Sequence, residues 1–152
     1  MNKITIEPFT SNLLEDVLSF EIELRNQEDA WGWEIDDNYI QSLKDSFNNR
    51  MFDNSLSLLA YSDNKVVGRI DASYICTRFD GSKRAYLDWI CVLKSYRHQG
   101  IAQLLMDELR KQLKENGFIS LVGLIAANDE AQSFYRHIKG SLIRDEGIWI
   151  DL

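Results

Sequence analysis

The sequence predicts a single α/β domain over residues 1–152, built on one mixed sheet. Three observations carry this. Short apolar or alternating runs and amphipathic runs succeed one another in the order β-α-α-β-β-β-α-β-α-β-β, with no repeat, low-complexity stretch or linker between them. An apolar run ending at Val92 and Leu93 passes through a short polar turn straight into a helical pattern. Ile119 to Ala126 is nearly all apolar, the composition of a strand covered on both faces.

The first strand is Ile4-Thr5-Ile6-Glu7-Pro8, which alternates and ends at proline. Ser11 or Asn12 is placed to cap a helix whose apolar face is Leu13, Leu14, Val17, Leu18 and Ile22. An acidic and aromatic connection follows, Asp29 to Asp37, and then a second helix over Asp37 to Asn49 with Tyr39, Ile40, Leu43 and Phe47 on one side. Ser55 to Tyr61 and Val66 to Cys76 read as strands around the turn Asp63-Asn64-Lys65, with Gly68 a candidate bulge. Asp80-Gly81 marks a hairpin into the strand Tyr86 to Val92. The helix after it starts around Gln99 and Gly100, repeats apolar residues at Ile101, Leu104, Leu105, Leu109 and Leu113, and stops at Gly117. Asn128 is placed to cap the last helix, with Ala131, Phe134, Tyr135 and Ile138 on related faces and Gly140 at its end. Ser141 to Arg144 and Ile148 to Leu152 flank Glu146-Gly147 as a final hairpin.

With 152 residues, 45% of them apolar, the chain can bury a sizeable core. No run has the length of a membrane span and Met1-Asn2-Lys3-Ile4 does not open a signal peptide, so a cytoplasmic protein with no membrane partner is expected. Cys76 and Cys91 lie in apolar strands and are expected to be reduced core residues. Two cysteines and two scattered histidines offer no metal-ligand spacing, so no metal is expected. A net charge of −7 argues against nucleic acid and favours cationic partners such as amines.

The segment Arg97-His98-Gln99-Gly100-Ile101-Ala102 carries the chemistry. A strand that turns tightly into a helix leaves the helix's first N–H groups unpaired at the positive end of its dipole, which suits a phosphate. Gly100 takes away a side chain where ligand oxygens would approach, Ala102 is the smallest substitute for a second glycine, and Arg97 adds a fork of donors. A dinucleotide fingerprint does not fit, because His98 and Gln103 fill its outer glycine positions, and Gly-Lys-Ser/Thr occurs nowhere. Arg97, Gly100 and Ala102 do fill the fixed positions of Arg/Gln-x-x-Gly-x-Gly/Ala, the pyrophosphate-binding signature of the GNAT family of N-acetyltransferases. Downstream, Asn128-Asp129-Glu130-Ala131-Gln132-Ser133-Phe134-Tyr135 resembles the family's Asn-x-x-Ala-x-x-Phe-Tyr run, and the element order resembles the family's as well. Two departures are Ala102 for the commoner glycine and Lys139, which adds a residue before Gly140.

The resemblance implies direct transfer of an acetyl group from acetyl coenzyme A, as co-substrate, to a primary amine. It implies a pyrophosphate cradle at Arg97, His98, Gln99, Gly100, Ile101 and Ala102, with the pantetheine arm against the backbone of Ile90, Cys91 and Val92 and held by Asn128. Tyr135 is the candidate to protonate the leaving thiolate. An alkyl amine with a pKa near ~10 must lose a proton before it can attack. Asp88, alternating with Ile90 on the same strand, is the first candidate acceptor of that proton, with Glu34 and Asp36 as alternatives; a structural strand carboxylate, hydrogen-bonded or salt-bridged, with Arg84 as one candidate partner, is an equal reading. Arg136 and Lys139 are within sequence reach of an adenosine 3′-phosphate, though a solvated surface accounts for them as well. Trp31, Trp33 and Glu34, among the acids Glu28, Asp29, Asp36 and Asp37, are expected to meet the acceptor, a small cationic amine such as a polyamine or aminoglycoside or a peptide amine. The alternative is a domain that binds acetyl coenzyme A as a sensor or partner-binding module without turnover. A homodimer is left open.

Overall fold

The structure, a computed structural model, describes residues 3–28, 34–143 and 150. Among these, the elements run β1 (Ile4–Pro8), α1 (Leu14–Gln27), α2 (Asp37–Ser46), β2 (Ser55–Ser62), β3 (Lys65–Cys76), β4 (Lys83–Val92), α3 (Ile101–Glu115), β5 (Ser120–Gly123) and α4 (Asp129–His137). The sheet keeps chain order, β1-β2-β3-β4-β5. The first four strands are antiparallel neighbours, and β5 lies parallel to β4 with α3 as the crossover. Of the expected final hairpin, Ser141 to Ile143 is not a strand, and residues 144–149, 151 and 152 lie outside the described residues.

Local chemistry sets most of these boundaries. Asp63 and Asn64 both have positive φ, 48° and 63°, which a two-residue hairpin turn requires, and Ser62 pairs with Lys65 across it. Asp36 caps α2 by accepting the Tyr39 N–H at 2.8 Å, and Asn128 caps α4 by accepting that of Ala131 at 2.8 Å. At the end of α3, Gly117 adopts φ 79°; its N–H reaches Lys114 O at 3.1 Å and that of Phe118 reaches Leu113 O at 3.0 Å. These two bonds satisfy carbonyls that a helix end otherwise leaves open.

Several expectations are corrected. Neither Ser11 nor Asn12 caps α1; Ser11–Leu13 is a 3-10 turn that leads into it. The buried face of α1 is Leu14, Val17, Leu18, Phe20, Glu21 and Leu24, and Ile22, turned roughly 120° from its centre at 3.6 residues per turn, is exposed. By the same geometry Leu104 lies outside the buried face of α3 and Met106 within it. α2 ends at Ser46 rather than Asn49. β5 is shorter than its apolar run and half exposed: it pairs with β4 on one side, and no described strand covers the other. Cys76 is exposed rather than in the core, at the end of β3 where it pairs with Lys83 across the hairpin.

The sheet has two different faces. Gly68, Ile70 and Ala72 point toward α3, and Arg69, Asp71 and Ser73 toward α1. The bulge expected near Gly68 is present: Ala60 pairs with Gly68 and Tyr61 with Val66, so Val67 is the extra residue. Gly68 itself is needed for close packing. A Cβ there would stand 3.2 Å from Leu105 Cδ1, Val92 Cγ2 and the Cys91 carbonyl oxygen, all held in place by the sheet and the core. Replacing glycine by alanine gains roughly 0.4–1 kcal/mol through the unfolded chain, whereas overpacking a fixed core costs roughly 1–3 kcal/mol. Gly68→Ala is therefore expected to lower stability by about 1–2 kcal/mol, read as an earlier urea midpoint at unchanged slope. A later midpoint would show that α3 can step away from the sheet.

Candidate active site

The site begins where β4 loses its second neighbour. β4 pairs with β5 only from Arg84↔Ser120 to Leu87↔Gly123, yet runs on to Val92. A Cβ on Gly123 would lie 3.2 Å from Leu87 Cβ, so a side chain at residue 123 would crowd this last pair. Beyond it the two strands part, and no described strand pairs with Asp88 to Val92 on the β5 side. Ile90, Cys91 and Val92 thus lie on this open stretch of β4.

A second bulge sits at this point. Asp71 pairs with Trp89 and Ala72 with Leu87, which makes Asp88 the extra residue. The bulge ends the alternation on which Asp88 and Ile90 share a side. Ile90 pairs with Ile70 on the α3 face, whereas Asp88 is exposed on the opposite face, where Ser73 Oγ donates to it at 2.5 Å. Arg84 pairs with Asp80 at 3.1 Å, not with Asp88.

From Val92 the chain passes through a 3-10 turn, Lys94–Tyr96, and enters α3. His98 and Gly100 both adopt positive φ, 59° and 81°. No side chain caps α3, so its first N–H groups stay open at the positive end of the dipole. Gly100 is fixed by its backbone conformation as much as by room for a ligand, because a Cβ there would meet nothing within 4 Å. The backbone of Arg97 to Ala102 therefore has the form of an anion cradle.

The Arg97 side chain does something else. Its Nε donates to Val92 O at 3.0 Å, its Nη1 pairs with Glu130 at 3.1 Å, and its Nη2 pairs with Glu28. Burial alone would lower its pKa, but Glu130 and then Glu28 outweigh this and raise it. Glu28, expected with the acceptor-facing acids, is bound here instead. Asn128 spends its side-chain oxygen on the α4 cap, which leaves its amide N–H groups to reach a ligand.

Tyr135, on α4, is half-buried with its ring 5.3 Å from that of Phe134. Burial, and next the neighbouring Tyr86, raise its pKa, so the phenol keeps its proton above the ordinary range. Burial likewise pushes the Cys91 thiol up to about 11 against the opposing pull of Arg97. Glu34 is exposed just ahead of the Asp36 cap, and Trp31 and Trp33 lie outside the described residues. Arg136 holds Gln132 at 3.3 Å, and Lys139 is exposed.

Sequence reasoning missed a charged cluster beneath this site. Glu21 of α1, 2% exposed, accepts from Arg69 at 3.1 Å and from the Tyr39 hydroxyl at 2.7 and 2.8 Å. Arg69 also pairs with Asp71 at 2.8 Å, lies 5.1 Å from the ring of Phe9 and 5.7 Å from that of Trp89, and Asp71 accepts from Ser57. The signals were a carboxylate inside the apolar stripe of α1 and an Arg-Ile-Asp step inside an apolar strand.

A parted strand pair, an open strand edge and an uncapped helix N-terminus thus meet at one end of a mixed α/β sheet. The chain belongs to the Acetyltransferase (GNAT) family, whose family model matches residues 14–140, and it is an acetyltransferase. A sequence search of curated proteins finds no match. Solved structures share the fold. An aminoglycoside acetyltransferase from an uncultured soil metagenomic sample, in complex with sisomicin, is 20% identical with a TM-score of 0.82, over 98% of this chain and 96% of that one. An aminoglycoside antibiotic 6′-N-acetyltransferase from Acinetobacter baumannii is 21% identical at 0.73, over 99% and 98%. A ribosomal-protein-alanine N-acetyltransferase from Brucella melitensis biovar Abortus 2308 is 18% identical at 0.74, over 98% and 99%. Among the described residues no helix is long and apolar enough to cross a membrane, and no group of three or more His, Cys, Asp or Glu is placed to hold a metal ion.

A thiol with its pKa near 11 is a thiolate only on the order of once in 10,000 molecules at pH 7. Iodoacetamide at pH 8 is expected to label exposed Cys76 at least about tenfold faster than Cys91, read by mass spectrometry of the digested protein. Faster labelling of Cys91 would show a reactive thiol there, and with it a route through an acyl-cysteine in competition with direct transfer.

Proposed function

We propose that the protein transfers an acetyl group from acetyl coenzyme A directly to a primary amine, and that the acceptor is cationic. The observation that carries this is the open β4 edge from Asp88 to Val92 running into the uncapped N-terminus of α3. The edge offers backbone groups to the amides of a pantetheine arm, and the cradle offers the N–H groups of His98 to Ala102 to a pyrophosphate, that of Arg97 being donated to Lys94 O at 3.3 Å. Bound there, acetyl coenzyme A supplies the thioester. An N–H of the Ile90–Val92 edge is placed to steady the oxygen that gains charge during attack. Asp88 takes the amine's proton, directly or through a water; it is solvent-exposed, acceptor-only when ionised, and held by Ser73. Tyr135 returns a proton to the departing sulfur, a role that suits a phenol kept protonated by burial.

The cationic acceptor is supported by the net charge of −7 and by exposed Asp88 and Glu34 on the acceptor side. Trp31 and Trp33 belong to the same proposed acceptor wall. Sisomicin binding and alanine N-acetylation by proteins of the same fold make aminoglycosides and peptide amines the first acceptors to try.

Thiol release from acetyl coenzyme A against a panel of polyamines, aminoglycosides and peptide amines tests the reading, with a binding titration alongside. Turnover confined to neutral or anionic amines would remove the cationic acceptor, and binding without any turnover would favour a sensor. Tyr135→Phe is expected to lower kcat by roughly tenfold to a hundredfold while the acetyl coenzyme A Kd stays within about twofold. Because the Tyr135 pKa is raised, loss of its proton would cut activity only above about pH 10. An unchanged kcat takes Tyr135 out of the mechanism.

A further inference from the structure

We propose that Arg97 is a positioning residue that ties the cofactor cradle to the acceptor wall, and not a side-chain ligand of the pyrophosphate. The inference deepens the proposed function and rests on it for the identity of the two substrates. The guanidinium joins three elements: the end of β4 through Val92 O, the end of α1 through Glu28, and the start of α4 through Glu130. A second link runs alongside, where Gln27 Nε2 donates to Ser95 Oγ and Ser95 N–H donates to Gln27 Oε1, both at 3.4 Å. His98 Nε2 lies 3.8 Å from the other oxygen of Glu130.

The charge balance keeps this clamp closed. One guanidinium faces two carboxylates. Turning its fork toward a pyrophosphate would take the guanidinium from Glu28 and Glu130 next to further negative charge, so the phosphate contacts fall to the backbone of the cradle. What the clamp holds is specific. Glu28 is the last residue before the connection that carries Trp31, Trp33 and Glu34, and Glu130 sits two residues after Asn128 on the helix that carries Tyr135. The arginine thus sets where the acceptor wall and the proton donor stand relative to the bound thioester.

The test combines Arg97→Gln, Glu28→Gln and the double variant. Arg97→Gln and Glu28→Gln are each expected to raise the acceptor KM about five- to tenfold, the double variant no more than the worse single one. The acetyl coenzyme A Kd stays within about threefold in all three. Hydrogen exchange at the last turn of α1 speeds up in each, which a ligand role would not produce. A tenfold or greater loss of acetyl coenzyme A affinity in Arg97→Gln, with α1 exchange unchanged and Glu28→Gln like wild type, would make Arg97 a phosphate ligand and overturn the proposal. If no amine is turned over, the functional reading fails by itself, while the titration and the exchange experiment still decide the clamp.

Discussion

A backbone polar group has to be paired or wetted, and β4 meets that demand in two different ways along its length. From Arg84 to Leu87 it is a central strand with partners on both sides. From Asp88 to Val92 it is an edge. The change happens at one residue pair, Leu87 and Gly123, where the absence of a side chain lets the strands touch before they part. The bulge at Asp88 falls at the same place. An edge strand is ordinarily a liability that invites foreign strands. Here the exposed stretch is short, one of its carbonyls is taken by Arg97, and the chain beyond it turns at once into α3. What remains is a row of amide groups ending at a helix N-terminus, which is complementary to a ligand made of amides followed by phosphates.

The opposite demand, burial of charge, shapes the face beneath. Glu21, Arg69 and Asp71 lie between α1 and the sheet with Tyr39, Ser57, Phe9 and Trp89 around them. Such a cluster contributes little net stability over apolar packing, but removing one partner leaves the others unpaired, at a cost of roughly 3–5 kcal/mol. Its effect is geometric: α1, α2 and β3 are joined through a single carboxylate, Glu21. Asp71 shows the cost directly. Burial raises its pKa even though Arg69 and Ser57 pull it down. A carboxyl group whose folded pKa is raised disfavours the folded state as pH climbs from the ordinary carboxylate range through the raised value. Asp71 is thus less favourable to the fold at neutral pH than in mild acid.

How much of this could be read beforehand depended on how local each feature was. The cradle was legible because its parts adjoin: Arg97, Gly100 and Ala102 lie within six residues, and the left-handed Gly100 needs nothing distant to explain it. Asn128 was legible as a cap for the same reason. The strands from Ile4 to Val92 were legible from alternation and from the paired turn residues Asp63-Asn64 and Asp80-Gly81. The failures were two-body effects. Ile22 and Leu104 are apolar but turned away, and only the direction from which the sheet covers each helix decides that. Ile119 to Ala126 promised a strand buried on both faces, yet the pairing of β5 with β4 stops after Gly123. The bulge at Asp88 has no signal in β4 alone, since it is a mismatch of register with β3, and it sends Asp88 to the side opposite Ile90.

Arg97 shows why motif matching and side-chain chemistry give different answers at one position. The motif fixes a residue at the start of the cradle, and a fork of donors next to a phosphate site invites a direct role. Its carboxylate partners come from residues 69 positions before it and 33 after it, at the ends of two helices that the local pattern does not mention. In the proposed function the same division separates the two substrates. A carrier held by a strand edge and a helix N-terminus is specified by backbone shape, which a short stretch of sequence encodes. An acceptor is specified by side chains that converge from the start of the chain, the β4 bulge and α4. In the proposed function the two halves meet at Arg97, whose guanidinium, with the Gln27–Ser95 link beside it, joins the locally encoded half to the assembled one.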